Sequence, residues 1–218
     1  ALSYAVTQST QGGGKNASSE KTSAQASDLL NYYAQLDAAV QRMMLTGGIK
    51  DYELNFYYQV SHKYVYGTFD NGNCTESRCR VFDPAGGGVS GRKLDVFNRG
   101  DYTDSERLLY VSVPNVGTTA PDIVLAFHNA QLPICREINK RAGLPDIIYN
   151  TAGVTSASTI MYQFALPVGS MPASTATQTG IPIEAATAGT YCACTQSTEA
   201  LCISTINQPM IYHVLVAR

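Results

Sequence analysis

Asp28-Leu29-Leu30-Asn31-Tyr32-Tyr33-Ala34-Gln35-Leu36-Asp37-Ala38-Ala39-Val40-Gln41-Arg42-Met43 carries a periodicity that only a helix satisfies. Leu29, Tyr33, Leu36, Val40 and Met43 step by four, three, four and three, which draws one apolar stripe along a helical surface. Outward from this core, no Gly or Pro occurs between Ser19 and Leu45, and Ala24, Ala26, Ala34, Ala38 and Ala39 add strong helix formers. Ser18 or Ser19 is a suitable N-cap with Glu20 in the first turn, and Gly47-Gly48 supplies the left-handed stop. The expectation is a long helix within residues 18–48, roughly 40 Å from end to end.

Upstream, Gly12-Gly13-Gly14 is expected to break any earlier helix, making 1–17 an N-terminal segment or linker. Its first residues alternate Leu2, Tyr4 and Val6 with Ser3, Ala5 and Thr7, as a strand would, although six residues also suit the end of an apolar helix. Downstream, residues 49–218 read as a β-rich globular domain. Tyr52–Tyr58, Lys63–Thr68, Cys79–Phe82, Lys93–Phe97 and Leu108–Val113 are short β-like runs separated by turn clusters such as Asn98-Arg99-Gly100-Asp101. A second helix is expected at 133–142, opened by Pro133, with Lys140 and Arg141 near its end and Gly143 beyond it. Asp122–Phe127 reads as helical too, residues 151–208 as strands and long exposed loops, and Met210–Val216 as a terminal strand. The fold class expected is α+β, a long N-terminal helix laid on an antiparallel sheet, with disulfide-bonded loops.

The six cysteines, Cys74, Cys79, Cys135, Cys192, Cys194 and Cys202, sit in Gly-, Ser- and Thr-rich surroundings. An even, clustered count favours disulfides and an oxidising compartment. Cys74–Cys79 is expected as a short staple worth about 2 kcal/mol, and a bridge from Cys135 to the C-terminal group as worth about 4 kcal/mol. Six cysteines allow 15 connectivities, and the pairing of the last four stays open at this level. Zinc is disfavoured, because no C-x-x-C or Cys/His spacing occurs and His62, His128 and His213 are isolated.

Charged residues form only 15% of the chain and net charge is −2, with no basic run to meet phosphates, so nucleic acid is not a natural partner. Fourteen Tyr with no Trp suit a surface that is extracellular or covered by copies of itself. No run of about 18 apolar residues is present to span a bilayer. Since the cysteines imply export, a targeting segment removed from before Ala1 is expected.

Motifs that carry chemistry are weak. Gly86-Gly87-Gly88-Val89-Ser90-Gly91 matches the dinucleotide fingerprint, but a strand-like run follows where a helix is required, so a structural loop is expected. Ser90 has Gly88 before it but Arg92 where a nucleophile elbow needs glycine. His128 and His213 read as packing or surface residues rather than members of a triad. Asp70-Asn71-Gly72-Asn73 reads as a turn rather than a calcium loop, and Arg99-Gly100-Asp101 as a charged turn. Asn16-Ala17-Ser18 and Asn73-Cys74-Thr75 fit the glycosylation sequon. No catalytic residue, cofactor or metal is expected.

Asp28–Leu36 with Val40-Gln41-Arg42-Met43 resembles the exposed half of a type IV pilin or pseudopilin helix. Cys79-Arg80-Val81-Phe82-Asp83-Pro84, Ile134-Cys135-Arg136-Glu137-Ile138-Asn139 and Tyr212-His213-Val214-Leu215-Val216-Ala217-Arg218 are similar to stretches of large bacterial prepilin-type proteins. The resemblance implies an extracellular, non-catalytic filament subunit, exported through the inner membrane and serving adhesion, motility, DNA uptake or secretion. It implies assembly through the helix bearing Leu29, Tyr33, Leu36, Val40 and Met43, with copies of itself, other pilins and surface ligands as partners. The family's apolar N-terminal helix of about 25 residues, long enough to span a bilayer, would precede Ala1. Two other readings are a filament assembled by donor-strand exchange through residues 1–7, and a secreted hydrolase or carbohydrate-binding protein with Tyr-rich loops.

Overall fold

The structure is a computed structural model and describes residues 2–56, 73–91, 106–111, 122–128, 130–144, 146, 148–149, 190–194 and 209–217. The chain is α+β, with helix α1 (Leu2–Leu45) packed with α2 (Leu132–Arg141) over a sheet. The strands are β1 (Glu106–Val111), β2 (Asp122–His128), β3 (Ile148–Tyr149), β4 (Thr190–Cys194) and β5 (Met210–Val216), in the spatial order β1-β2-β5-β4-β3.

The stripe predicted from periodicity is the seam of the core. Leu29, Tyr33, Leu36, Val40 and Met43 are all buried within the domain itself, and Ala26, Tyr32 and Ala39 widen the strip. Each large apolar side chain sequestered here contributes about 2 kcal/mol by removal from water. Facing them are Ile123 and Leu125 of β2, Ile211 and Leu215 of β5, and Ile134 and Ile138 of α2. Asp28, Asn31, Ala34, Gln35, Ala38 and Gln41 fill the exposed face. The stop is as expected: Gly48 takes φ 64°, and the Gly47 N–H donates to the Arg42 carbonyl at 3.2 Å.

The start of α1 differs from expectation. The helix begins at Leu2 and runs unbroken for 44 residues, about 66 Å, through Gly12-Gly13-Gly14. Ser18 and Ser19 are therefore interior positions, and the Ser18 carbonyl accepts the Thr22 hydroxyl at 3.0 Å. Glycine weakens a helix by about 1 kcal/mol per residue without removing an N–H, so a helix nucleated downstream propagates through it where proline would end it. Leu2–Thr7 is accordingly helical, not the extended strand that its alternation suggested.

Asp122–His128 is likewise a strand rather than a helix. Asp122–Leu125 are buried on both faces of this central strand, so the polar alternation that marks a half-exposed one is lost there, and an unbroken apolar run reads either way. The sheet is antiparallel across β1-β2, β2-β5 and β5-β4, but the short edge strand β3 runs parallel to β4, which corrects the all-antiparallel expectation. Two expected strands are also not formed among the described residues, Tyr57 and Tyr58 of the first lying outside them. Tyr52–Tyr58 begins as a 3₁₀ turn at Asp51–Glu53, and Cys79–Phe82 follows a 3₁₀ turn at Ser77–Cys79. The described parts of the two segments meet in an isolated parallel bridge, Asn55 to Arg80, and in an edge-to-face contact of Phe56 with Phe82. Leu108–Val111 of the expected Leu108–Val113 run lies in β1, which begins two residues earlier; β5 falls where predicted, and α2 starts and ends one residue before the expected 133–142. Lys63–Thr68, Lys93–Phe97, His62, Arg99–Asp101 and most of 151–208 lie outside the described residues, β4 being the part of that last stretch that is described.

Candidate functional site

A buried polar construction joins α2 to β4. Cys135 and Asn139 lie one helical turn apart and share the inward face of α2. Cys135 is disulfide-bonded to Cys192, with 5.3 Å between Cα atoms. The Asn139 Oδ1 accepts the Cys192 N–H at 2.7 Å, and its Nδ2 donates to the Cys192 carbonyl at 2.8 Å and the Asp146 carbonyl at 3.2 Å. Only this amide orientation satisfies both groups of Cys192, because a carbonyl oxygen must meet an N–H. The side chain occupies the strand-neighbour position at Cys192, and β3 takes over alongside Ala193 and Cys194. The chain reaches β3 through a tight helix end, with Gly143 at φ 70° and the Leu144 N–H donating to the Asn139 carbonyl at 2.9 Å.

A second polar node ties α1 to the sheet. His213 on β5 stacks on Tyr33, with ring centroids 4.4 Å apart and planes 7° from parallel. Its Nε2 is 2.9 Å from Asp37 Oδ1, and its Nδ1 is 2.7 Å from Thr190 Oγ1 on β4. Carboxylate, imidazole and hydroxyl stand in the sequence an acid–base relay needs, but the imidazole is only 5% exposed. The geometry describes a polar link among α1, β4 and β5, three elements that meet at one ring.

On the opposite sheet face Tyr191 and Tyr212 stack across β4 and β5, centroids 5.2 Å apart, both buried. The Tyr212 hydroxyl lies 3.3 Å from Met210 Sδ. Burial pushes the Tyr212 hydroxyl well above the ordinary tyrosine range. Tyr191 is raised for the same reason first and by the charge Tyr212 would carry second.

Between α1 and α2 an open groove of about 790 Å³ is lined by Ser18, Ser19 and Thr22 on one side, and by Arg136, Glu137, Lys140 and Asp146 on the other. Its charges are matched internally: Arg136 Nε is 2.8 Å from Asp146 Oδ2, and Lys140 Nζ is 4.0 Å from Glu137 Oε2. Beside it Arg141 bridges the helices, bonding Ser27 Oγ at 2.8 Å, Ser23 Oγ at 2.7 Å, the Ser23 carbonyl at 2.8 Å and Glu137 Oε1 at 2.9 Å.

The glycine loop is a structural turn in the described residues. A Cβ at Gly86 would stand 2.2 Å from the Arg80 carbonyl oxygen, and one at Gly87 2.2 Å from that of Val81. The loop's N–H groups turn inward, Gly86 and Gly88 donating to Asp83 and Gly87 to Arg80, while Arg42 of α1 donates to the Gly87 carbonyl. No helix starts among the described glycines of this motif, so the phosphate-cradling geometry is not formed there.

Of the residues singled out from sequence, Cys74–Cys79 forms the expected short staple, with Cα atoms 5.6 Å apart. Cys135 bonds to the C-terminal group through Cys192, and Cys194 is disulfide-bonded to a partner outside the described residues, where Cys202 also lies. His213 is a packing residue that stacks on Tyr33 and hydrogen-bonds to Asp37 and Thr190. His128 ends β2, and no group of three metal-binding side chains occurs among the described residues. Sequence reading passed over Asn139, Asp37 and Thr190. For Asn139 a signal existed, since an asparagine four residues after Cys135 on the apolar face of α2 must be buried with partners. Compared with known protein families, with curated proteins and with solved structures, the chain shows no significant match.

Proposed function

We propose that this chain is the exported, non-catalytic globular region of a type IV pilin-like filament subunit. The observation that carries this reading is the asymmetry of α1. Its buried strip runs from Ala26 to Met43 over the sheet, whereas none of the side chains from Ala17 to Gln25 is buried and the same helix continues back to Leu2. A helix laid by its C-terminal half on a mostly antiparallel sheet, with a long N-terminal continuation, supports a subunit that bundles its helix with copies of itself. Burial of apolar helix surface between neighbours drives such assembly. The bonded cysteines support an oxidising location outside the inner membrane. The groove between α1 and α2 and the low-charge surface supply the faces presented to other pilins and surface ligands.

The test is the N-terminal sequence and intact mass of the native protein sheared from its cells. The expected result is an apolar extension of about 25 residues before Ala1, with a methylated first residue. A native chain beginning at Ala1 overturns the reading, because the filament would lack its membrane-held spine.

A further inference from the structure

We propose that Asn139 selects the disulfide partner of Cys135, holding Cys192 rather than Cys194 in place while the thiols are oxidised. Once Cys74 and Cys79 are joined, Cys135, Cys192, Cys194 and Cys202 still allow three pairings. Two of the candidates for Cys135 are nearly equivalent. Cys192 and Cys194 are two residues apart on β4, so both point to the same face, and both are completely buried in the same core cluster. They differ by one strand repeat, roughly 6.6 Å. A slide of α2 along β4 by that distance would bring Cys194 to Cys135 instead.

Apolar packing by Ile134 and Ile138 resists such a slide weakly, since greasy surfaces tolerate displacement. Hydrogen bonds of fixed direction resist it strongly. Asn139 reads the backbone of one residue, taking both the N–H and the C=O of Cys192 at 2.7 Å and 2.8 Å, and its remaining donor holds the Asp146 carbonyl. Because Asn139 stands one turn from Cys135, fixing its amide on Cys192 brings the Cys135 and Cys192 Cα atoms to 5.3 Å, within disulfide reach. At the neighbouring position the same backbone groups are engaged by β3, which pairs with Ala193 and Cys194. The amide therefore finds its two partners at Cys192 alone.

The chemistry is ordinary thiol–disulfide exchange. A thiolate of the pair attacks an external disulfide, and the second thiolate displaces that group from the mixed disulfide. One S–S bond forms between Cys135 and Cys192, two protons are lost, and two electrons pass to the external disulfide, which leaves as two thiols. Asn139 touches neither sulfur in this scheme. It is a positioning residue.

The test refolds the reduced protein in a buffer of oxidised and reduced glutathione and maps the bridges by tandem mass spectrometry. The unsubstituted chain is expected to give Cys135–Cys192. In Asn139→Ala, with two directional bonds to Cys192 gone, the ratio of Cys135–Cys192 to Cys135–Cys194 should fall about tenfold or more. An unchanged ratio overturns the proposal. Should Asn139→Ala fail to fold, the Cys135→Ala/Cys192→Ala double variant decides, since it keeps Asn139 and removes the bridge. Its backbone amide at position 192 should still exchange as slowly as its β4 neighbours. Free exchange there would show that the bridge sets the register and Asn139 follows, which also overturns the proposal.

Discussion

Asn139 and Cys192 bind each other twice, the side-chain amide of one closing on the backbone N–H and C=O of the other at 2.7 Å and 2.8 Å. Both residues are completely buried. Asn139→Asp keeps the shape but replaces two donors with a carboxylate facing the carbonyls of Cys192 and Asp146. The expected loss is about 3 kcal/mol or more of unfolding free energy at neutral pH, read from urea titration. A loss within 0.5 kcal/mol, the typical range of an ordinary surface substitution, would mean the pair contributes little.

The Asp37–His213–Thr190 chain predicts an order of effects. Thr190→Val preserves the volume and removes the bond to Nδ1, at an expected cost of about 1 kcal/mol. Asp37→Ala should cost more than Asp37→Asn, because asparagine retains an acceptor oxygen near Nε2. Combining Thr190→Val with Asp37→Ala should be non-additive, since both partners hold one ring. Thermal unfolding of the four variants checks this, and strict additivity would disconnect the node.

Gly87 and Gly88 are neighbours with different constraints. Gly87→Ala puts a methyl group 2.2 Å from the Val81 carbonyl oxygen and forces the backbone apart. Gly88→Ala meets open space and carries only the left-handed conformation at φ 64°, about 1–2 kcal/mol. The predicted ranking, in denaturant midpoints, is a larger loss at Gly87 than at Gly88. The reverse order would show that the loop relaxes freely.

Tyr212 predicts an alkaline limit to stability. Its folded-state hydroxyl is raised by burial, so the native chain holds this proton at pH values where the unfolded chain releases it. Stability from this group is intact below the unfolded value of about 10 and declines as pH rises above it. Urea midpoints measured from pH 8 to 11 should fall beyond pH 10, and Tyr212→Phe should flatten that decline. An identical alkaline slope in both proteins would remove Tyr212 as the cause.

Local periodicity was enough to place the stripe of α1, the ends of α2 to within one residue and the span of β5, because each depends on residues within a few positions along the chain. The short Cys74–Cys79 staple was legible for the same reason. Gly12-Gly13-Gly14 misled because propensity near a helix end is a small term beside cooperative extension from a formed helix. Asp122–His128 misled because its described side chains, Asp122–Leu125, are buried on both faces and carry no alternation.

What only the tertiary structure decided is partnership: Cys192 for Cys135, Asp37 and Thr190 for His213, the backbone of Cys192 for Asn139. These contacts join residues 23 to 176 positions apart in the chain. A single sequence records which groups need partners, since a buried amide or imidazole is costly unpaired. Which partner each one takes is set by the packing of α1 and α2 on the sheet, where distance along the chain no longer measures distance in space.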